Sequence, residues 1–552
     1  MPHKRILFRS EARERVLRGA TILADAVRVT LGPKSKCVLV EKPWGPPLVC
    51  NDGVTIVKEI DLEDPEENLG AHMLREAAER TADVVGDGTT TSTLLAHAIF
   101  ADGLRNLAAG ASAVDIKRGL DRGLKAAVAT IRGLSKPVAS RKEKAQVATI
   151  SAHNDAMLGD FVAEAMDRVG SEGVVTVEEA KGMETSIEVV DGMQFDRGLL
   201  SPYFINDAER QQAVVENPLI LLSEAKIASL KEFLPFLEGV VPLRRPLVVI
   251  AESVEAEALA TLVVNRLRGI LDCVAVKAPG YGDRRKELMQ DMAILTGGRF
   301  ISADLGVTLE SVKAADLGSA GRVIVDRDTT TIIAGRGDKA AIHARCEEIR
   351  RQIREAKSDY DREKLEERLA KLAGGVAIIR VGAPTEAELK SRKEALADAI
   401  SATRAAVAEG IVPGGGLSLL RAIDALDREE QQCEGDERTG VRILKHALEV
   451  PTRTIAENSA ADGGVVVGDL RRGAGHQWFD AALGVSRDVG YARGVYCDLV
   501  EAGIVDPTKV VRTALENAVS VAGTLLLTEA TLTQVKDEKG EKPQPEMALE
   551  GL

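Results

Sequence analysis

The sequence is short of cysteine, of long apolar runs and of basic charge, and each shortage excludes a class of protein. Its six cysteines, at positions 37, 50, 273, 346, 433 and 497, show neither CxxC spacing nor local pairing. We therefore expect no disulfide framework and no zinc site, as in a reducing cytoplasm. The longest apolar runs, such as Leu247 to Ala251, are far too short to span a bilayer. No membrane segment is expected.

Charge and the first residues narrow the setting further. The formal net charge of -13 argues against nucleic acid as the main partner, because neutralising phosphates needs a clustered basic excess. The segment Met1 to Arg9 is basic but has neither the apolar core nor the cleavage site of a signal peptide. A chain of 552 residues with 45% apolar and 28% charged residues is typical of a soluble protein with several domains. These features predict a cytoplasmic, multi-domain protein.

One stretch, Val85 to Thr93, has the composition of a phosphate-binding loop. Gly86 and Gly88 allow positive φ and a close approach of backbone N–H groups to an anion. The threonines that follow open an apolar-periodic segment, so the loop lies at a predicted helix N-terminus, where phosphate is favoured. Asp87, between the glycines, would face a phosphate only through a cation, which predicts a magnesium ligand. A glycine-rich turn with a threonine N-cap explains the same residues.

The chain before this loop predicts a long helix, a sharp turn and a strand pair. Apolar positions from Glu11 onward recur every three or four residues, as in an amphipathic helix. The helix ends at Thr30 to Pro33, which is either a plain helix stop or a turn with exposed backbone. Two short strands joined by a Pro/Gly-rich turn come next. The sequence Asn51-Asp52-Gly53 is then a turn signal, so Asp52 also has a purely structural explanation.

The middle of the chain changes to strand-rich sequence. From Pro246 a strand, a helix and a strand, at 247–251, 255–269 and 273–278, form a βαβ pattern that implies a parallel pair and a separate α/β domain. Apolar stripes on two helices of this domain are either core or an exposed groove for apolar partners. The stripes consist of Leu230, Phe233, Leu234 and Leu237 on one helix and of Leu259, Leu262, Val263 and Leu267 on the other.

Beyond this domain the sequence returns to helix. A densely charged segment, 339–372, predicts a helical hairpin with a solvated face. A helix from about Glu386 to Glu409 carries Asp398, and the glycines after Pro413 lead back into helix-rich sequence. This order predicts a helical base formed by both chain ends, with the α/β domain inserted between them. The polar, proline-containing end of the chain is expected to be disordered.

Several ordered motifs closely resemble the group I, GroEL-type chaperonins. They include Thr30-Leu31-Gly32-Pro33-Lys34, Asp52-Gly53-Val54, Gly86-Asp87-Gly88-Thr89-Thr90-Thr91, Ala402-Thr403-Arg404-Ala405-Ala406-Val407 and Pro413-Gly414-Gly415-Gly416. The resemblance covers nearly the whole chain and fails mainly in the tail. It implies the chaperonin fold, a multi-domain α+β and α/β chain with a mainly helical equatorial domain, a small intermediate domain and an inserted α/β apical domain. The expected boundaries are 1–134 and 410–535 (equatorial), 135–190 and 376–409 (intermediate), 191–375 (apical) and 536–552 (disordered tail).

The resemblance also implies an ATPase that uses magnesium and potassium. Asp52 and Asp398 would position and polarise the attacking water, and Asp87 would bind magnesium. The residues expected at the nucleotide are Thr30, Leu31, Gly32, Pro33, Asn51, Asp87, Gly88, Thr89, Thr90, Thr91, Gly415, Asp480, Ala481, Ala482 and Asp506. Because Asp398 belongs to the expected intermediate domain, closure of that domain would complete the site.

For the apical domain the resemblance implies a face that binds non-native polypeptides by apolar burial, which is non-directional. The matching positions are Tyr203, Phe204, Leu234, Leu237, Leu259, Val263 and Val264. A GroES-type cochaperonin would compete for this face. Arg197 and Glu386 would form an intersubunit ion pair within heptameric rings stacked as a 14-mer. The implied function is ATP-dependent folding of non-native chains inside a ring cavity.

The sequence departs from the family pattern at several positions. Asn51 stands where members typically carry a lysine near the γ-phosphate, so phosphate binding is expected to be weaker or ATP turnover slower, and Asn51→Lys is expected to speed ATP hydrolysis. Ser35 and Leu199 replace a usual glycine and a usual tyrosine. Asp480 and a longer segment at 483–497 alter the region expected to recognise the base. These changes suggest a specialised paralogue.

Two other functions fit parts of the sequence. A small-molecule phosphotransferase could use the Gly-Asp-Gly-Thr loop, but the sequence contains neither GxxxxGK(S/T) nor a kinase-type catalytic set. A client-binding ring scaffold with weak or no ATP turnover would follow if Asn51 abolishes hydrolysis. The presence of Asp52, Asp87 and Asp398 favours hydrolysis.

Overall fold

The computed structural model describes residues 4–42, 47–170, 173–180, 182–208, 210–302, 309–356, 358–472, 478–479, 496–497 and 499–534. The chain divides into two compact units, Met1–Gly159 with Asp398–Leu552 and Asp160–Ala397. Both chain ends therefore contribute to the first unit, and the second unit is inserted between them. The boundaries of the equatorial, intermediate and apical domains stay a prediction, and the expected disordered tail lies outside the described residues.

The first unit is mostly helical, and caps supplied by the sequence set its helix ends. The Asp64 carboxylate accepts hydrogen bonds from the backbone N–H groups of Glu66 and Glu67 and so begins the helix Pro65–Val85. Gly86, at φ +67°, ends it. The helices that lie in this unit or cross its boundary are Arg9–Arg28, Gly53–Lys58, Pro65–Val85, Thr89–Ala108, Ala113–Leu134, Arg141–Ser151, Ala156–Val169, Glu386–Glu409, Leu417–Gln432, Gly435–Asn458, Gly463–Arg472 and Thr508–Leu527.

One helix of this unit, Thr508–Leu527, is long and apolar enough, by length and composition, to cross a membrane. In its most apolar window, however, 67% of the residues are buried in the protein. Leu515 and Leu526 lie in the same core as Leu23, Leu74 and Phe100. The helix is therefore explained as a core helix of the unit.

Short antiparallel ribbons complete the first unit. Val412 pairs with Asp506, which places this carboxylate beside the glycines that follow Pro413. The strand pairs are Lys4–Phe8 with Ala530–Gln534, Val38–Val40 with Leu48–Cys50, Ile411–Pro413 with Val505–Pro507 and Trp478–Phe479 with Tyr496–Cys497. The first ribbon joins the two ends of the described chain, since Lys4 lies opposite Gln534.

The second unit is built around an eight-stranded mixed sheet. The predicted βαβ unit is present as Leu247–Val254, Ala256–Leu267 and Cys273–Lys277, and its strands are parallel with Cys273 opposite Leu247. The other strands of this sheet are Gly192–Phe195, Ala213–Glu216, Leu219–Ile227, Phe300–Ile301, Gly318–Val325 and Thr330–Gly335. The adjoining helices are Leu230–Val240 and Gly282–Thr296.

A smaller sheet and a charged hairpin complete the second unit. Val376–Val381 lies between Val174–Glu179, to which it is parallel, and Ser186–Val190, to which it is antiparallel. The predicted helical hairpin is present as Lys339–Glu355 and Asp359–Gly374. Its charge is not only a solvated face, because the fully buried Asp291 accepts hydrogen bonds from Arg345 and from the nearly buried Arg368.

Five cysteines are present as thiols: Cys37, which is exposed, and the buried Cys50, Cys273, Cys346 and Cys433. Burial raises the pKa of the Cys273 thiol to about 12, so this residue behaves as a small apolar side chain rather than a nucleophile.

Candidate functional site

A cavity of about 290 Å³ in the first unit brings together the residues predicted to bind nucleotide. They come from segments that are far apart in the sequence and meet only because both chain ends build this unit. The predicted residues that line the cavity are Thr30, Leu31, Gly32, Pro33, Asn51, Asp52, Asp87, Gly88, Thr89, Thr90, Thr91, Asp398, Gly415 and Asp506. Asp480, Ala481, Ala482 and most of the segment 483–497 lie outside the described residues.

The turn from Thr30 to Pro33 is held by specific hydrogen bonds. The Thr30 hydroxyl donates to the carbonyl of Val27 at 2.8 Å. The side-chain amide of Asn458 donates to the carbonyls of Arg28 and Leu31 at 2.9 and 2.8 Å. Gly32 adopts φ +96°, which an L side chain would not adopt without strain. The segment is a fixed turn that exposes backbone to the cavity and not only a helix stop.

The glycine loop leaves a helix N-terminus without a side-chain cap. The N-cap of Thr89–Ala108 is Gly88, at φ +79°, so the threonine N-cap considered from the sequence is not what begins this helix. The first backbone N–H groups of the helix therefore have no capping side chain, an arrangement that suits an anion. The Thr90 hydroxyl lies 3.2 Å from that of Thr30 and connects the loop to the neighbouring turn.

Asp52 combines a structural and a possible chemical role. As N-cap of the helix Gly53–Lys58, its carboxylate accepts hydrogen bonds from the N–H groups of Val54 and Thr55 at 3.3 and 2.8 Å. A Cβ atom at Gly53 would lie only 2.3 Å from the Thr90 hydroxyl oxygen, so the position requires glycine. Since an ionised carboxylate offers about four lone-pair sites, Asp52 keeps acceptor capacity toward the cavity.

Burial and repulsion between carboxylates raise the pKa of two carboxyl groups in the cavity, those of Asp87 and Asp506. Asp87 lines the cavity. Burial of its carboxyl group raises the pKa, and the negative charge of Asp52 raises this pKa further. Hydrogen bonds from Ser151 at 2.8 Å and from the Gly88 N–H oppose this rise. Burial, with the charge of Asp87 as a smaller cause, raises the pKa of Asp506 to about 7. A cation at Asp87 would relieve this repulsion.

The donor set fits magnesium better than a metal held by protein alone. Within the described part of the chain, no cluster of three or more His, Cys, Asp or Glu side chains could hold a metal ion. Magnesium in phosphate-binding enzymes is usually held by one or two carboxylates together with the substrate phosphates and water. Asp87, beside Asp52 and an uncapped helix N-terminus, supplies such an incomplete shell.

Another part of the cavity wall combines glycine backbone with apolar side chains. Gly415 adopts φ +65°, and a Cβ atom there would contact only the Leu499 side chain, at 3.8 Å. The Thr452 hydroxyl donates to the Gly415 carbonyl at 3.0 Å and holds this backbone in place. Leu499 and Ile504 also line the cavity. This wall suits a planar apolar group such as a nucleobase.

Comparison with known protein families identifies the family of the chain. The model of the TCP-1/cpn60 chaperonin family matches residues 23–536. The chain belongs to this chaperonin family. A protein named chaperonin GroEL 5 from Bradyrhizobium diazoefficiens is 62% identical to it over 551 residues, which is 100% of both chains. The resemblance to group I chaperonins noted from the motifs is confirmed.

The second unit of this chaperonin exposes only part of the predicted polypeptide-binding set. Tyr203, Leu234 and Val264 are 63%, 43% and 43% exposed, whereas Leu259 and Val263 are partly buried.

Phe204 is 0% exposed and Leu237 5% exposed, and both pack in the core of the second unit. In this structure neither side chain is presented on an apolar face as expected. The reason is geometric: Phe204 ends the short 3-10 turn Pro202–Phe204, which points Tyr203 outward and its neighbour inward. A shallow cavity of about 300 Å³ beside Leu234 and Leu237 is lined by residues of both predicted helices.

Arg197 and Glu386 are the two residues expected to form an ion pair between subunits. The Arg197 guanidinium donates to the Tyr281 hydroxyl at 3.3 Å and lies 5.7 Å from the centre of its ring. Glu386 is the exposed first residue of the helix Glu386–Glu409. Their pairing between subunits stays a prediction.

Sequence reasoning missed several cavity residues. Ser151, Asn458 and Thr452 act through hydrogen bonds to the predicted residues, and His153 and Asn154 line the cavity itself. They are polar residues in or beside ordinary helices, without a glycine motif or regular spacing to mark them. Only tertiary contacts assign them to the site.

Proposed function

We propose that this chain is a subunit of an ATP-dependent chaperone that binds non-native polypeptides on an apolar apical face and promotes their folding inside a ring cavity. The observation that carries the proposal is the convergence of the turn at Thr30 to Pro33, the loop at Asp87 to Thr91, Asp52, Asp398 and Gly415 on one cavity. The chain is proposed to act in the cytoplasm as a chaperonin ATPase.

In this proposal the chain's own groups bind and orient the nucleotide. The uncapped N–H groups after Gly88 cradle phosphate oxygens. Asp87, which lies near the negative charge of Asp52, holds magnesium.

 The role of the metal, when bound, is to neutralise charge on the phosphate oxygens. Asp52 and Asp398 orient and polarise the attacking water, and potassium is proposed as a second cation.

Ring assembly is proposed from two open ribbons of the first unit. The ribbon formed by the chain ends exposes Ile6, Phe8 and Leu532. The strand pair Val38–Val40 and Leu48–Cys50 exposes Leu39 and Val49. Open strand edges with exposed apolar side chains favour pairing with another chain. We propose that they form contacts between subunits of heptameric rings stacked as a 14-mer, capped by a GroES-type cochaperonin.

The test is refolding of an aggregation-prone protein with and without Mg-ATP and a GroES-type cochaperonin. We expect suppressed aggregation without ATP and a higher folded yield with ATP and the cochaperonin. If aggregation is suppressed but ATP changes nothing, the chain is a client-binding ring scaffold. If aggregation is not suppressed at all, the chaperone proposal is wrong.

A further inference from the structure

The nucleotide cavity has an unusual charge balance. Its described lining includes the carboxylates of Asp52, Asp87, Asp398 and Asp506 and contains no lysine or arginine. Nucleotide phosphates are normally stabilised by fixed positive groups as well as by a metal and backbone N–H groups. Among these described lining residues, His153 is the one with a basic side chain.

His153 lies in a turn whose backbone is fixed independently of its side chain. The turn follows the helix Arg141–Ser151, and the Asn154 N–H donates to the Thr149 carbonyl at 2.8 Å. The Asp155 N–H donates to the Ala152 carbonyl at 3.1 Å. His153 and Asn154 have φ of +54° and +66°, a left-handed conformation that is uncommon outside glycine and is found at functional sites.

The same turn is joined to the glycine loop. The Ser151 hydroxyl donates to the Asp87 carboxylate at 2.8 Å. His153 is itself exposed to solvent and lines the same cavity as Asp87. The imidazole therefore belongs to the lining that also holds the carboxylate proposed to bind magnesium.

We propose that His153 binds the phosphate chain of the nucleotide by donating an imidazole N–H to a phosphate oxygen. This inference rests on the proposed nucleotide site. An imidazole has an N–H donor whether it is neutral or protonated, so the contact needs no particular charge state. It supplies a side-chain donor in a cavity where Asn51 offers an amide and no cation.

The test measures binding of Mg-ADP to the assembled full-length protein by isothermal titration calorimetry, which does not depend on turnover. His153→Ala is expected to weaken binding roughly tenfold, the usual effect of losing a hydrogen bond to a charged group. The matched control is His446→Ala, which removes an exposed histidine paired with Asp102 outside the cavity. The control is expected to stay within about twofold of the unsubstituted protein.

A double variant distinguishes the two possible causes of lost affinity, namely loss of a phosphate contact and damage to the turn. Asn51→Lys places a cation in the same cavity, so the double variant with His153→Ala is expected to recover most of the lost affinity. Equal affinity of His153→Ala and the unsubstituted protein would overturn the inference while leaving the nucleotide site intact. Failure of Asn51→Lys to restore affinity would also overturn it, because the loss would then come from the turn. If the unsubstituted protein does not bind Mg-ADP, the proposed function fails as well.

Discussion

The cavity around Asp52 and Asp87 and the predicted apical face differ in how the structure places the residues expected there. The described residues predicted for the cavity line one pocket, although they come from distant segments. Of the seven positions predicted for the apical face, Phe204 and Leu237 are buried. A carboxylate or a positive-φ glycine is costly unless the site needs it. An apolar side chain serves equally well in a core or on a binding face.

One helix of the second unit shows that apolar residue type does not distinguish core positions from exposed ones. In Leu230–Val240 the side chains of Phe233, Phe236 and Leu237 are buried, and Leu234 is 43% exposed. Phe233, Leu234 and Leu237 belong to the same predicted apolar stripe, and the Phe233 and Phe236 rings stack with centroids 5.7 Å apart. Periodicity predicts the helix, but the side on which the sheet lies decides which stripe residues remain accessible.

The largest effect that would test the cavity is expected from Asp398→Ala. If Asp398 orients the attacking water, its loss should slow ATP hydrolysis by roughly 100-fold or more, as for loss of a general base. Binding of Mg-ADP should change by less than about threefold, since the phosphates are held by other groups. Phosphate release and calorimetric nucleotide binding measure the two quantities separately.

The matched control is Asp83→Ala, which removes an exposed aspartate of the helix Pro65–Val85 that does not line the cavity. Its ATP turnover should equal that of the unsubstituted protein. Unchanged turnover in Asp398→Ala would contradict the role assigned to this carboxylate and would weaken the inference from residue type.

For the predicted apical face, Phe204→Ala and Tyr203→Ser distinguish a residue that stabilises the core from one that binds non-native protein. Phe204→Ala should lower the free energy of unfolding of the second unit by about 3–5 kcal/mol, because it removes a buried aromatic ring. Tyr203→Ser should change this free energy by less than about 1 kcal/mol and should weaken capture of non-native protein. Native-state hydrogen exchange and aggregation suppression are the measurements.

The opposite pattern would be informative. If Phe204→Ala keeps its stability and loses client capture as Tyr203→Ser does, Phe204 must become exposed when clients bind. The apical prediction from the sequence would then be right for a conformation other than this one.

Local pattern predicted the helices and the inserted βαβ unit, whereas the family motifs supplied most of the cavity residues. Helix Glu386–Glu409 and the hairpin 339–372 follow from periodicity and charge. Ser151 and Asn458 could not be predicted, because their importance comes from a partner 64 residues away in one case and 427 or 430 residues away in the other. The buried pair of Asp291 with Arg368 was hidden for the same reason.

A smaller effect is expected from Asp506→Asn, measured without nucleotide or magnesium. The pKa of Asp506 is raised from 3.8 to about 7 in the folded protein. The folded state therefore keeps this proton to higher pH than the unfolded chain, so the stability due to this group is full below pH 4 and falls as pH rises to 7. Asparagine cannot ionise and should remove that fall.

The difference in apparent Tm between Asp506→Asn and the unsubstituted protein should therefore be more positive at pH 8 than at pH 5, by a few degrees. Asp83→Asn provides the control, since it removes an exposed carboxylate. An equal difference at both pH values would show that Asp506 is ionised in the folded protein across this range.

The smallest effect should come from Asn458→Ala, which tests whether a residue found only in the structure supports the predicted turn. Loss of its hydrogen bonds to the carbonyls of Arg28 and Leu31 should loosen the segment from Thr30 to Pro33 and raise the Kd for Mg-ADP roughly threefold. Asn458→Asp keeps the size of the side chain but not the N–H donors, so it should bind at least as weakly. If Asn458→Asp instead binds like the unsubstituted protein, packing and not hydrogen bonding positions the turn, and the bond from Thr30 to Val27 is sufficient to hold it.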